Sequence, residues 1–127
     1  MALHKGEGWS VADLGDLGEG PGFRKIRREL DVSEMGVNAI VLPVGVEPTF
    51  HHHERQEEVY FVHRGQVEIA FGDGSTHRLG PGGLARVAAQ TPRKLTALGD
   101  EDAVYVVFGA HGGYVGRDGV ETDSGAA

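Results

Sequence analysis

Residues 45–65 read GVEPTFHHHERQEEVYFVHRG. Three consecutive histidines lie just before a β-rich run that begins at Glu58. Because side chains alternate along an extended chain, His51 and His53 project to one side and His52 to the other. After a turn, the carboxylate of Glu58 can return to the side of the two imidazoles. The stretch therefore predicts two nitrogen ligands and one carboxylate that converge on a single point.

The spacing of this cluster leaves two interpretations open. Two imidazoles and one carboxylate can hold a divalent metal ion, such as iron, manganese, nickel or zinc, and leave coordination positions for a substrate. The cluster can also be a solvated strand end, because many histidine-rich patches beside acidic and basic residues are surface loops. The chain has no cysteine, so a metal site would have no thiolate ligand.

The sequence around this stretch predicts an all-β fold. Short β-rich runs alternate with glycine and proline, and the 21 glycines among 127 residues follow no three-residue period, as expected for many sharp turns. The length suits a single domain with one core. Strands are predicted at residues 23–30, 37–44, 58–63, 66–71, 77–79, 84–88, 93–98 and 103–109.

The chain is predicted to have three parts. Residues 1–22 form an N-terminal arm with a short helical turn before Gly15, and residues 23–110 form the barrel. Residues 111–127 are rich in Gly, Asp and Ser, which predicts a flexible C-terminal tail. The basic run RKIRR at residues 24–28 is interpreted as a charged edge strand, or as a source of salt bridges between two subunits.

Charge and composition restrict the classes of partner. The net charge of -7 repels phosphate backbones, so no nucleic-acid partner is expected. A hydrophobic fraction of 39% is typical of globular proteins, and no membrane partner is expected. The first six residues contain no apolar secretion segment, which, with the lack of cysteine, predicts a cytoplasmic location.

Residues 45–65 resemble the first motif of the cupin family, G-x5-H-x-H-x4-E-x6-G. Its fixed positions are filled by Gly45, His51, His53, Glu58 and Gly65. The resemblance implies a double-stranded β-helix, the jelly-roll-like cupin barrel, over roughly residues 23–109. It also implies a homodimer formed through N-terminal strands, with residues 23–30 as the candidate edge.

The second cupin motif, G-x5-P-x-G-x2-H-x3-N, can be aligned with residues 82–97. The glycine is retained as Gly82, whereas the four later positions are occupied by Ala88, Gln90, Arg93 and Ala97. The family's fourth metal ligand is therefore replaced by Arg93. A guanidinium stays protonated and cannot coordinate a cation, so it places a positive charge near the expected metal position.

Two functions follow from this substitution. In one, His51, His53 and Glu58 hold a divalent metal, and Arg93 pairs with an anionic substrate; the resemblance then implies dioxygenation, isomerisation or decarboxylation of a small oxygenated or carboxylate compound. In the other, Arg93 pairs with Glu58, and the barrel binds a small molecule without a metal.

The prediction that covers both cases is a cupin barrel that binds a small polar or anionic molecule beside a partial metal site. Its ligand pocket is predicted to contain Arg93, Tyr60 and Gln90. The sequence does not decide whether the protein is an enzyme.

Overall fold

The computed structural model describes residues 2–122, which form two five-stranded antiparallel sheets and one short hairpin. A 3-10 turn covers Leu14–Leu17, and one α-helix, α1, covers Ile26–Leu30. The strands are β1 (His4–Gly6), β2 (Trp9–Val11), β3 (Gly22–Arg24), β4 (Gly36–Leu42), β5 (Phe50–His53), β6 (Glu57–Arg64), β7 (Gln66–Phe71), β8 (Thr76–Leu79), β9 (Leu84–Val87), β10 (Arg93–Leu98), β11 (Ala103–Ala110) and β12 (Gly119–Thr122).

The strand orders of the two large sheets are β12-β5-β10-β7-β8 and β3-β4-β11-β6-β9. Side chains from both sheets meet in one buried cluster, which includes Val62 and Tyr105 from one sheet and Ile69 and Leu95 from the other. Consecutive strands repeatedly change sheet, as in a double-stranded β-helix. The predicted all-β, jelly-roll-like class is confirmed.

Alternation of side chains explains how the core is filled. On β7, Val67 and Ile69 are fully buried, whereas Glu68 between them is partly exposed. Such alternation is expected for a strand with one face on the core. Strand β11 lies between β4 and β6 and brings Val104 and Tyr105 into the interior on adjacent positions.

The predicted strand at residues 23–30 is wrong over most of its length. Strand β3 ends at Arg24, and α1 follows from Ile26. Ile26 and Leu30 are four residues apart and therefore share one helical face, which lines a small surface cavity together with Leu14 and Leu17 of the N-terminal arm. A spacing of four places two side chains on one face of a strand as well as of a helix, so the spacing alone does not distinguish the two.

The predicted tail from residue 111 onward is also wrong for the part that the structure describes. Strand β12 pairs with β5 along its whole length, and residues 114–119 lie over the interior of the barrel. The hydrogen bonds of Asp118 to the β5–β6 turn hold this segment in place. Residues 123–127 of the predicted tail lie outside the described residues.

Within residues 23–30, the edge predicted for a homodimer, only residues 23 and 24 belong to a strand, β3, which pairs only with β4 among the described strands. Its central residue, Phe23, is 60% exposed. The homodimer stays a prediction. None of the helices within residues 2–122 has the length and hydropathy required to span a bilayer.

Gly65 connects β6 to β7 with φ of 79°, and a Cβ atom there would lie 2.8 Å from both Ala103 Cα and Asp102 O. Gly45 has φ of 91° with no atom within 4 Å of its virtual Cβ. Alanine adopts the left-handed conformation less readily than glycine, so both Gly→Ala variants are strained. Only Gly65→Ala also adds a methyl group that clashes with the backbone of residues 102 and 103. We expect Gly65→Ala to lower the free energy of unfolding by about 1–3 kcal/mol more than Gly45→Ala, as measured by urea denaturation. Equal losses would show that the contact with residues 102 and 103 is not limiting.

Candidate metal centre and cavity

The structure brings the three predicted ligand side chains together. His51 and His53 extend from β5 and Glu58 from β6, and one donor atom of each lies within 4.8 Å of the others. The side chain of His52 points the other way, and its Nδ1 lies 2.6 Å from Thr122 Oγ1 on β12. The alternation expected along an extended chain therefore separates one histidine from the other two.

Glu58 is the most connected residue of the cluster. Its Oε1 accepts a hydrogen bond from the Tyr60 hydroxyl at 2.6 Å and lies 3.2 Å from His53 Nε2 and 3.6 Å from Arg93 Nη2. Burial raises the pKa of Glu58, but the hydrogen bonds from His53 and Tyr60 and the charges of His53 and Arg93 outweigh it and lower the pKa overall. The buried carboxylate is therefore ionised near neutral pH.

His53 is held from both sides of its ring. While Nε2 faces Glu58, Nδ1 lies 2.8 Å from Asp118 Oδ1. Burial disfavours the charged ring, but the hydrogen bond and charge of Glu58 and the hydrogen bond to Asp118 outweigh it and raise the pKa of His53. A carboxylate at Nδ1 fixes the orientation of an imidazole and makes its Nε2 a better metal ligand.

Asp118 was not identified from the sequence, which assigned it to the tail. It accepts hydrogen bonds from the backbone N–H groups of Arg55 and Gln56 at 2.8 and 3.0 Å, and from the Gln56 side chain. Burial opposes ionisation of Asp118, but these bonds and the one from His53 hold its pKa well below the ordinary value. This contact depends on the pairing of β12 with β5, and no local sequence pattern indicates it.

His51 stands beside His53, with ring centroids 5.3 Å apart and an edge-to-face geometry. Burial, followed by the positive charges of Arg93 and His53, lowers the pKa of His51 from 6.5 to about 4. The ring is therefore neutral at pH 7. A neutral imidazole is the form that binds a metal ion.

Arg93 occupies the place where the motif expects a third histidine. It is directly opposite His51 in the β5–β10 pairing, and it is completely buried. Its Nη1 donates to the carbonyls of Ala89 and Thr91 at 3.1 and 2.9 Å. Arg93 does not line the cavity, because its guanidinium is used by the β9–β10 loop and by Glu58.

The other two predicted pocket residues have different positions. Tyr60 lines the cavity beside Glu58. Gln90 is exposed in the β9–β10 loop, outside the cavity, with its Nε2 3.4 Å from the carbonyl of Glu54. Arg93 and Gln90 are therefore not among the residues that line the cavity, since one side chain lies buried behind Glu58 and the other is exposed to solvent; their part in ligand binding stays a prediction.

A cavity of about 840 Å³ opens in front of His51, His53 and Glu58. Apolar residues of β4 and β11, such as Ile40 and Val107, form part of its wall. The segment 114–119 covers one side. Four basic side chains, Lys25, Arg27, Arg28 and Arg117, also line the cavity, and because Lys25, Arg28 and Arg117 are exposed and Arg27 is only partly buried, we assign them to its mouth. Three of them belong to the basic run that the sequence interpretation placed on an edge strand.

Residues 39–109 match the family model for the cupin domain. The chain belongs to the cupin superfamily. This cupin also resembles three solved structures, each with a TM-score of 0.63: DMSP lyase DddQ from Ruegeria pomeroyi, a cupin protein from Bacteroides fragilis, and a cupin-superfamily sugar phosphate isomerase from Silicibacter pomeroyi. No curated protein matches the chain significantly.

The three structural relatives show the fold alone, since their sequence identities to this cupin are 24%, 23% and 22% in the order given. The matches cover 70%, 73% and 83% of this chain. They cover 43% of the lyase, 77% of the Bacteroides protein and 60% of the isomerase. This cupin therefore spans less than half of the lyase that it resembles.

The donor set fits a divalent transition metal ion. It combines a neutral His51, a His53 oriented by Asp118 and an ionised Glu58, and it is open toward the cavity. Two nitrogens and one oxygen suit iron, manganese, nickel or zinc. The contact between His53 and Glu58 must be exchanged for contacts to the ion, so binding competes with an existing hydrogen bond.

Asp118→Asn places an amide where the carboxylate now accepts hydrogen bonds from His53, Arg55 and Gln56. At least one donor loses its acceptor, so we expect the free energy of unfolding to fall by about 1–3 kcal/mol. Metal affinity should fall about 10- to 100-fold because His53 is no longer oriented. Denaturation and competitive metal titration measure the two effects. Glu121→Gln, an exposed change on β12, is the control, and equal effects in the two variants would contradict the role of Asp118.

Proposed function

We propose that this cupin binds one divalent metal ion through His51, His53 and Glu58, and a small polar or anionic molecule in the cavity before it. The convergence of the three donor atoms within 4.8 Å, on the wall of an 840 Å³ cavity, carries the proposal. A cavity of this size is typical of small-molecule sites. The cupin relatives named as a lyase and a sugar phosphate isomerase support a small ligand, since the fold commonly accommodates one.

A bound ion would polarise an oxygen atom of the ligand. The protein's own residues would orient the ligand and limit its access to water. Tyr60 presents a hydroxyl at the cavity wall that donates a hydrogen bond to Glu58, and the side chains of Ile40 and Val107 contribute an apolar surface. The segment 114–119 encloses the ligand from the side of β12.

Arg93 explains how the site stays folded without a metal. A buried, unpaired carboxylate would destabilise the protein by several kcal/mol. Arg93 lies 3.6 Å from Glu58 and supplies the compensating positive charge. The metal is therefore not required for folding, and the same barrel can bind a small molecule in the metal-free state.

A catalytic function is the second candidate, and the Tyr60–Glu58 pair favours it. A hydroxyl 2.6 Å from a carboxylate at the cavity wall is suitably placed for proton transfer with a ligand. Isomerisation, decarboxylation or dioxygenation of a small oxygenated or carboxylate compound are the candidate reactions. Catalysis would be established if NMR detects conversion of such a compound by the manganese-loaded protein and no conversion by the Tyr60→Phe variant. Ligand binding without product would establish a binding protein.

The metal site can be tested with two adjacent histidines. We expect manganese or nickel to bind wild-type protein at about one ion per chain. A free metal concentration a hundredfold above Kd adds about 2.7 kcal/mol of stability, which raises Tm. His51→Ala should abolish this increase, and His52→Ala should retain it, because His52 points toward Thr122. Metal content and Tm measure the result, and equal behaviour of the two variants would contradict the proposed ligands.

Arg93→His tests the second motif. The imidazole cannot reproduce the hydrogen bonds to Ala89 and Thr91, so the metal-free variant should be less stable by about 1–3 kcal/mol. It offers a third imidazole opposite His51, so the increase of Tm on adding metal should be larger than in the wild type. An unchanged or smaller increase would show that residue 93 is not at the fourth ligand position.

A further inference from the structure

The mouth of the cavity carries a positive patch in a protein of net charge -7. Four cationic side chains line the cavity, and the carboxylates that line it are Glu58 and Asp118. Both carboxylates are already engaged, Glu58 by Tyr60 and His53, and Asp118 by four donors. The basic side chains at the mouth are therefore not neutralised by the acids of the same cavity. The cationic patch is defined as Lys25, Arg27, Arg28 and Arg117.

Two separate parts of the chain build this patch. Lys25, Arg27 and Arg28 come from the β3–α1 junction and α1, while Arg117 comes from the segment before β12. The guanidinium of Arg27 lies 4.0 Å from the centre of the Tyr114 ring, which joins the two parts across the mouth. This stacking leaves the edge of the guanidinium free to donate hydrogen bonds.

The pairing of these side chains indicates which of them are available. Arg28 lies 3.0 Å from Glu29 in an exposed ion pair. Within residues 2–122, no ion pair involves Lys25, Arg27 or Arg117. Arg27 is partly buried, so its charge is screened less by solvent than that of a fully exposed side chain. Three cations without acidic partners thus face one opening.

We propose that the cationic patch binds the anionic group of an elongated small molecule whose other end reaches the metal centre. This end of the ligand would carry two negative charges, as a phosphate monoester or a dicarboxylate does, because three cations without acidic partners face it. Planar guanidinium groups bind phosphate and carboxylate oxygens with two parallel hydrogen bonds. This inference rests on the proposed function for the inner end of the ligand, but the patch itself needs no metal. The anion selectivity first assigned to Arg93 is thereby assigned to Arg27 and Arg117.

The test uses metal-free protein in resin-treated buffer at pH 7 and constant ionic strength. The probes are glycerol 3-phosphate and succinate, with glycerol as the uncharged control, and binding is measured by titration calorimetry. We expect at least one of the two anions to bind and glycerol not to bind. Arg27→Gln/Arg117→Gln should weaken that binding at least about tenfold, and Arg27→Lys/Arg117→Lys should restore part of it. A preference for the phosphate or for the dicarboxylate identifies the anionic group.

The control is Arg64→Gln/Arg78→Gln, which removes the same charge at exposed positions outside the cavity. Equal weakening in both double variants would overturn the proposal, because it would reduce the effect to net charge. Failure of wild-type protein to bind either anion would overturn it as well. Metal titration of Arg27→Gln/Arg117→Gln in anion-free buffer separates the claim of the cationic patch from the claim of the metal centre. If this variant loses anion binding but keeps its metal affinity, both claims are supported. If wild-type protein binds the anion but takes up no metal, the patch is supported and the metal centre is contradicted.

Discussion

The ionised carboxylate of Glu58, buried inside the barrel, is the constraint on which the site depends. A charge in that position requires donors or cations on several sides, and the structure supplies Tyr60, His53 and Arg93. These residues come from three strands, β6, β5 and β10, which lie in both sheets. The charge of Glu58 is therefore compensated only when strands of both sheets come together in the closed barrel.

Arg93 stands where the cupin motif has a ligand histidine, and it changes how the charge of Glu58 is compensated in the metal-free protein. If residue 93 were a neutral histidine, compensation of the negative charge of Glu58 would depend on the metal ion. A guanidinium compensates part of that charge permanently, and its remaining hydrogen bonds fix the loop between β9 and β10. The result is a cluster whose negative charge is partly compensated by the protein and whose donor atoms are compatible with a divalent ion. The same positive charge contributes to keeping His51 neutral and ready to coordinate.

The segment before β12 connects the inner and outer parts of the cavity. Asp118 fixes His53 at the inner end, and Arg117, the adjacent residue, belongs to the cationic patch at the mouth. Tyr114 of the same segment stacks on Arg27. One short stretch of chain thus positions a candidate metal ligand, covers the side of the cavity and completes the proposed anion site.

The sequence predicted the parts of the molecule that depend on local pattern. Alternation along residues 51–53 predicted the convergence of His51, His53 and Glu58, and the β-rich runs predicted the barrel. It did not predict the role of Asp118, which depends on pairing between strands that are 65 residues apart at the His53–Asp118 contact. It also missed α1, whose two partly buried apolar residues, Ile26 and Leu30, would share one face of a short strand as well, and it therefore placed the basic run on an edge rather than at the cavity.

A crystal soaked in manganese and measured at the manganese absorption edge tests the central claim most directly. The account predicts one anomalous peak per chain in direct coordination contact with a nitrogen of His51, Nε2 of His53 and an oxygen of Glu58, with Nδ1 of His53 still on Asp118. A crystal with no peak at this place, in which Nε2 of His53 remains on Glu58 at saturating manganese, would contradict it.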